Sequence, residues 1–144
     1  MKPPWHLWLI GLLSLLWNAG GAFDYLMMKT GNAAYLAQLT AAQRAFYEGY
    51  PLWVNIAWGL GVWGAVLGSL LLLLRSRLAI HAFALSLLGM AGNFAWGFVI
   101  SPTPMTALIT DTGLFPLLFT VAIVVIAVLL LVYAIRMTQK GHLR

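Results

Sequence analysis

The sequence has very little charge and no cysteine. Only 8% of its 144 residues are Asp, Glu, Lys or Arg, whereas a soluble domain carries about a quarter. Hydrophobic residues make up 62% of the chain, so a water-exposed surface cannot be built from it and we expect its solvent to be lipid. The lack of cysteine excludes disulfides, thiolate metal sites and cysteine nucleophiles. We expect one membrane domain, residues 1–144, without a separate soluble module.

Four apolar stretches are long enough to cross a membrane, which requires about 20 residues. A tight basic turn, Arg75-Ser76-Arg77, separates the second from the third. Pro102 and Pro104 follow the third, and the residue before a proline disfavours the helical conformation. The predicted fold class is an all-α integral membrane four-helix bundle. The predicted spans are residues 5–28, 51–74, 78–100 and 114–136.

Basic residues are distributed unequally between the two ends of these stretches. Lys29 and Arg44 share one end with all three acids, Asp24, Glu48 and Asp111, while the other six lie at the opposite end: Lys2, Arg75, Arg77, Arg136, Lys140 and Arg144. Cytoplasmic loops are enriched in Lys and Arg, so both termini and the 75–77 turn are predicted to be cytoplasmic. The same rule explains the net charge of +5 without a nucleic-acid partner.

The N-terminal stretch has a second interpretation. Lys2, the apolar run up to Trp17 and the small residues 19–22 loosely resemble a secretory signal with its cleavage site. The apolar run continues past that site, which favours a helix that stays in the membrane.

Residues 32–49, between the first two stretches, contain good helix formers and predict an amphipathic outer helix. Asn32 is suited to cap it, and Thr40 with Gln43 fits a capping box, which leaves a restart at Thr40 open. The segment either connects two spans at the membrane interface or acts as a lid over a cavity. Its aromatic-rich face recurs at helical spacing and comprises Tyr35, Leu39, Ala42, Phe46 and Tyr50.

Polar residues within the apolar stretches concentrate in a band roughly 5–15 Å below the outer surface, at a rise of 1.5 Å per residue. Aromatic residues accompany them, and residues 55–59 and 93–97 share the pattern N-x-A-W-G. Polar groups inside a membrane are candidate functional residues. The candidate ligand-binding residues are Asn18, Asp24, Tyr25, Asn55, Trp58, Asn93 and Trp96.

Three interpretations of this polar band remain open. The amides join neighbouring helices by hydrogen bonds, or they line an outward-facing pocket for a sugar, another flat polar molecule or a lipid headgroup, or Asp24 is a proton or cation site. Small residues in the second stretch, Gly64 with Gly68 and Ala65 with Ser69, predict either close packing within the bundle or a homo-oligomer through this face.

Catalytic patterns are missing. The sequence has no HExxH motif, glycine-rich phosphate loop or metal-ligand spacing. His6, His81 and His142 lie toward the predicted cytoplasmic face and the carboxylates toward the other, which removes His–carboxylate pairs. We therefore expect no enzyme, no catalytic or metal-binding residues and no cofactor, with a haem between His6 and His81 as the one conceivable exception.

The chain resembles, over most of its length, a family of small four-helix bacterial membrane proteins commonly labelled sugar transporters. This resemblance implies a bacterial inner membrane and supplies no site residues. We expect a membrane protein that binds a small molecule or lipid or docks a partner. A small oligomeric transporter of a solute such as a sugar and an accessory subunit of a complex are the alternatives. The motifs that carry the resemblance are Trp17-Asn18-x-x-Gly21-x-x-Asp24-Tyr25, Pro51-x-Trp53, Gly64-x-x-x-Gly68-Ser69 and Leu74-Arg75.

The predicted orientation is testable because the native chain has no cysteine. We expect a membrane-impermeant maleimide to label the Gln38→Cys variant in intact cells and the Ser76→Cys variant only after permeabilisation, because the basic 75–77 turn is predicted to be cytoplasmic. The reverse labelling pattern would contradict this topology.

Overall fold

The computed structural model describes residues 2–144, with the side chains of residues 109–112, including Asp111, outside the description. The described part is helical and contains no β-strand. A π-helical turn, Trp96–Ile100, continues the fifth helix. In chain order the helices are α1 (Trp5–Lys29), α2 (Ala33–Leu36), α3 (Ala41–Glu48), α4 (Leu52–Leu73), α5 (Leu78–Ala95), α6 (Met105–Thr112) and α7 (Phe115–Gln139).

Four of these helices are long and apolar enough to cross a membrane: α1, α4, α5 with its π-helical turn, and α7. Large apolar side chains are exposed on each of them, among them Leu16, Leu52, Leu88 and Leu129, all at least 60% exposed. Apolar surface of this extent is unfavourable in water and favourable in hydrocarbon. The prediction of an all-helical chain with four long apolar helices is confirmed, and it indicates a multi-pass membrane protein.

The closest helix packing joins α4 to α5 through small residues. A Cβ atom on Gly89 would lie 2.5 Å from the backbone nitrogen of Gly61, and one on Gly64 would lie 3.1 Å from the Cβ of Ser86. The Ser86 hydroxyl donates a hydrogen bond of 2.5 Å to the carbonyl of Gly61. The small residues of α4 therefore pack within the chain. A homo-oligomer through this face stays a prediction.

An apolar core fills the end of the structure that contains the 75–77 turn, which we call the turn end. Its buried residues come from α1, α4, α5, α7 and the C-terminal tail. The backbone of Arg144 donates to the Arg75 carbonyl at 2.7 Å and accepts from the Arg77 nitrogen at 2.9 Å, which fixes the tail on the turn. The core comprises Leu7, Leu72, Ala79, Phe83, Leu130, Ala134, Met137 and Leu143.

The opposite end carries α2, α3 and α6, and we call it the connector end. The segment predicted as one helix over residues 32–49 consists of two, because Asn32 caps α2 and Thr40 opens α3 with a capping box to Gln43. An N-cap residue has an extended backbone, which interrupts a continuous helix. The Arg44 guanidinium donates to the Leu36 carbonyl at 2.9 Å and holds α3 against α2.

The glycine-mediated contact between α4 and α5 can be tested with a matched pair of variants. Gly89→Ala places a methyl group against the backbone of Ala57 and Gly61, and we expect it to lower the free energy of unfolding by about 1–3 kcal/mol. Gly20→Ala gains the same helix propensity but meets nothing within 4 Å, so it should not destabilise. Denaturant titration in detergent measures both. Equal midpoints would contradict the close contact.

Candidate functional site

A cavity of about 580 Å³ lies between the long helices in the half toward the connector end. A volume of roughly 300–1,000 Å³ is typical of small-molecule sites. Among its lining residues, Leu16, Ala65 and Ile123 lie nearest the turn end along their helices, and the apolar core occupies that end. Its polar and aromatic lining includes Trp17, Asn18, Asp24, Gln43, Tyr47, Tyr50, Trp58, Asn93, Phe94, Phe119 and Thr120.

Asp24 is the one charged residue among the described residues that line this cavity. It lies half-buried on α1, and its carboxylate accepts a hydrogen bond from the hydroxyl of Tyr35 on α2. Burial, followed by the hydrogen bond and the negative charge of Asp24, raises the pKa of Tyr35 to about 12. Tyr35 therefore remains a hydrogen-bond donor to the carboxylate at neutral pH.

Aromatic side chains of α3 and the segment after it cover the cavity at the connector end. The ring of Tyr47 stacks on Trp58 with centroids 5.7 Å apart, and Tyr50 meets the same indole edge-on at 5.8 Å. Burial and then the charge of Asp24 raise the pKa of Tyr47 to about 12. Burial is also the main cause of the raised pKa of Tyr50. Tyr47 and Tyr50 therefore line the cavity from the segment between α1 and α4, and the lid interpretation of this segment stays a prediction.

The amides that line the cavity are already hydrogen-bonded within the protein. The Nδ2 of Asn18 donates to the Ala65 carbonyl at 3.2 Å and to the Ser69 hydroxyl at 3.0 Å. The Oδ1 of Asn93 accepts from the Tyr50 hydroxyl at 3.1 Å. Asn18 thus joins α1 to α4 and also lines the cavity, and the packing and pocket interpretations both stay open.

Tyr25 and Asn55 lie elsewhere, in a groove of about 610 Å³ along α4. The ring of Tyr25 meets Trp58 edge-on at 4.9 Å. The Nδ2 of Asn55 donates to the carbonyls of Tyr50 and Pro51 at 3.0 and 3.2 Å, and its Oδ1 accepts from the Lys29 ammonium. Asn55 therefore fixes the start of α4 and does not line the cavity.

Trp96 lines neither the cavity nor the groove. It packs edge-on against Trp53 at 6.1 Å and beside the buried cluster around Phe46. Its indole nitrogen is buried without a hydrogen-bond partner among the described residues. Of the seven predicted site residues, the structure brings together Asn18, Asp24, Trp58 and Asn93 around one cavity.

Several lining residues were not among the predicted site residues. Gln43 and Tyr47 come from α3. They lie beside the aromatic-rich face described above, which was the sequence signal available for this helix. Phe119 and Thr120 come from α7, and the ring of Phe119 packs against Trp17 at 5.8 Å. An isolated threonine at the start of a long apolar helix carries little sequence signal.

The geometry defines an all-helical chain with four helices of membrane-spanning length and a largely apolar cavity whose lining includes aromatic rings and a carboxylate. No known protein family, curated protein or solved structure matches this chain. Within the described residues, no three His, Asp or Glu side chains are grouped to hold a metal ion. The chemistry of the site therefore has to be argued from the cavity itself.

The tyrosines at the connector end give an alkaline titration test. The phenolate absorbance of Tyr35 or Tyr47 is the difference between the wild type and the corresponding Tyr→Phe variant. In the folded protein this difference should titrate near pH 12, whereas in unfolded protein it should titrate near 10.0. Because the folded pKa values are raised, the associated stability is present below pH 10 and lost as the pH rises toward 12. A component with a midpoint near 10 in folded protein would contradict the burial of these hydroxyls.

Proposed function

We propose that this chain is a non-enzymatic membrane protein that binds a small molecule in the cavity between its long helices. In this proposal α1, α4, α5 and α7 form a bundle across a bacterial inner membrane. The connector end faces outward, and the turn end faces the cytoplasm. The distribution of basic residues supports this orientation, and the resemblance noted above supports the choice of membrane.

The observation that carries the proposal is the contrast between the two halves of the chain. The half toward the connector end encloses about 580 Å³ lined by aromatic rings, amides and one carboxylate, whereas the half toward the turn end is a close-packed apolar core. A largely apolar pocket with a few convergent polar groups is the usual form of a small-molecule site. Packing alone would require no space of this size.

The same contrast favours binding over transport. A transported solute would have to pass from Asn18 toward the turn end, where Leu7, Leu72 and Phe83 are buried in the core. Known secondary transporters place broken helices around a midplane site, whereas α1, α4 and α7 run without interruption. A transporter would therefore need a second arrangement of these helices, and an oligomer is the simplest way to provide one.

A second candidate function, an accessory subunit of a membrane complex, is favoured by the groove along α4. Its lining of Gly59, Leu60, Gly64 and Leu67 presents a shallow apolar surface with Lys29 at one end. Small residues allow close approach of another helix in lipid. This role would coexist with a cavity, so ligand retention is the observation that separates the two functions.

Native mass spectrometry of protein released gently from its own membrane tests the proposal with two matched asparagine variants. Asn93 lines the cavity, whereas Asn55 lies in the groove. We expect a small molecule to remain on the wild type and on Asn55→Leu. Its occupancy on Asn93→Leu should fall about tenfold, because leucine removes the Tyr50–Asn93 hydrogen bond that shapes the cavity wall, and such a bond contributes about 1 kcal/mol.

The control is the thermal unfolding midpoint of both variants, which verifies that each is folded. A bare wild-type chain, or a chain bound to another protein alone, would contradict small-molecule binding. Equal loss from both variants would place the ligand outside the cavity.

A further inference from the structure

The charge and the hydrogen bonding of the cavity lining identify a ligand class. We propose that the cavity binds an organic cation, with a substituted ammonium group beside Asp24 and its apolar part among the surrounding rings. This inference rests on the proposed binding function and adds the chemistry of the ligand to it.

Asp24 gives the cavity lining a negative charge. It is the one charged side chain among the described lining residues, and the Tyr35 hydroxyl is a neutral donor that does not compensate its charge. A carboxylate beside a largely apolar space is costly unless a positive charge approaches it. A bound cation supplies that charge, whereas an anionic ligand would add a second negative charge to the same cavity.

The amides of the cavity lining favour a cation over a sugar as the ligand. A sugar needs many hydrogen bonds from its site, yet Asn18 is bonded to Ala65 and Ser69 and Asn93 to Tyr50. These bonds occupy the Nδ2 of Asn18 and the Oδ1 of Asn93, which leaves few amide groups of the lining for the several hydroxyls of a sugar. A substituted ammonium group with apolar substituents needs few directional bonds from its site.

Aromatic rings form part of the cavity wall. Trp17, Tyr47, Tyr50 and Trp58 line the same cavity as Asp24. Aromatic faces attract ammonium groups within about 6 Å of the ring centroid, most strongly when water is excluded. The structure contains such contacts on the groove side, where the Lys29 ammonium lies 5.2 Å from the Trp58 ring centroid and 6.0 Å from that of Tyr25.

Lys29 is the nearest cation that could repel such a ligand. It lines the groove rather than the cavity, and its side chain is exposed, so water and salt screen its charge. The other basic residue near this end, Arg44, is also exposed and donates to the Leu36 carbonyl. The cavity is far larger than a single metal ion requires, which favours an organic cation.

The test compares choline with two uncharged molecules, 3,3-dimethylbutanol (here dimethylbutanol) and glucose. Dimethylbutanol is the analogue of choline in which carbon replaces the ammonium nitrogen. Binding to the full chain in nanodiscs of zwitterionic lipid is measured by calorimetry. We expect choline to bind at least about tenfold more tightly than dimethylbutanol, which is a difference of about 1.4 kcal/mol, and glucose not to bind. Asp24→Asn should remove the preference for choline.

Glu48→Gln is the matched control, because it neutralises an exposed acid on α3 outside the cavity lining and should leave the preference intact. The comparison of probes on wild-type protein needs no variant, so it remains decisive if Asp24→Asn fails to fold. Equal binding of choline and dimethylbutanol, or binding of glucose without choline, overturns the cationic ligand while the binding function stands. If none of the probes binds and the wild type carries no molecule from its membrane, both proposals fail.

Discussion

The close approach of α4 and α5 is the contact on which the rest of the structure depends. Gly61 and Gly89 place the two backbones together, and a single methyl group at Gly89 would collide with Ala57 and Gly61. In lipid, helices associate through such packing because water provides no driving force between them. The contact between α4 and α5 also forms part of the cavity wall, because the lining includes Ala57, Gly61, Gly89 and Asn93.

Polar side chains within this framework hold helices and shape the cavity at the same time. Asn18 bonds α1 to α4, and the Tyr50–Asn93 bond holds the segment after α3 to α5. These bonds fix the walls of the cavity without a ligand. Asp24 differs from these amides, since its hydrogen bond to Tyr35 leaves the negative charge uncompensated. The proposed ligand site is therefore a cavity with one charged lining residue among the described residues.

Much of the fold could be predicted from hydropathy, because four long apolar runs allow little else in lipid. The site was harder to predict, since depth in the membrane follows from residue number but the direction of a side chain depends on how each helix is rotated. Asn55 and Asn93 lie in the same five-residue pattern, yet on antiparallel helices Asn93 reaches the cavity and Asn55 the groove. The docking of the C-terminal tail on the 75–77 turn is a long-range backbone pairing, which side-chain periodicity does not encode.

Binding as proposed requires that a solute can enter the cavity from the connector end and that the cavity ends at the apolar core. The most direct measurement is the reaction of a membrane-impermeant thiol reagent, added outside, with single cysteines placed along α4. Ala57 and Ala65 line the cavity, whereas Leu72 lies in the core. We expect the reagent to modify Ala57→Cys and Ala65→Cys and to leave Leu72→Cys unmodified. Modification of Leu72→Cys, or protection of both cavity positions, would contradict it.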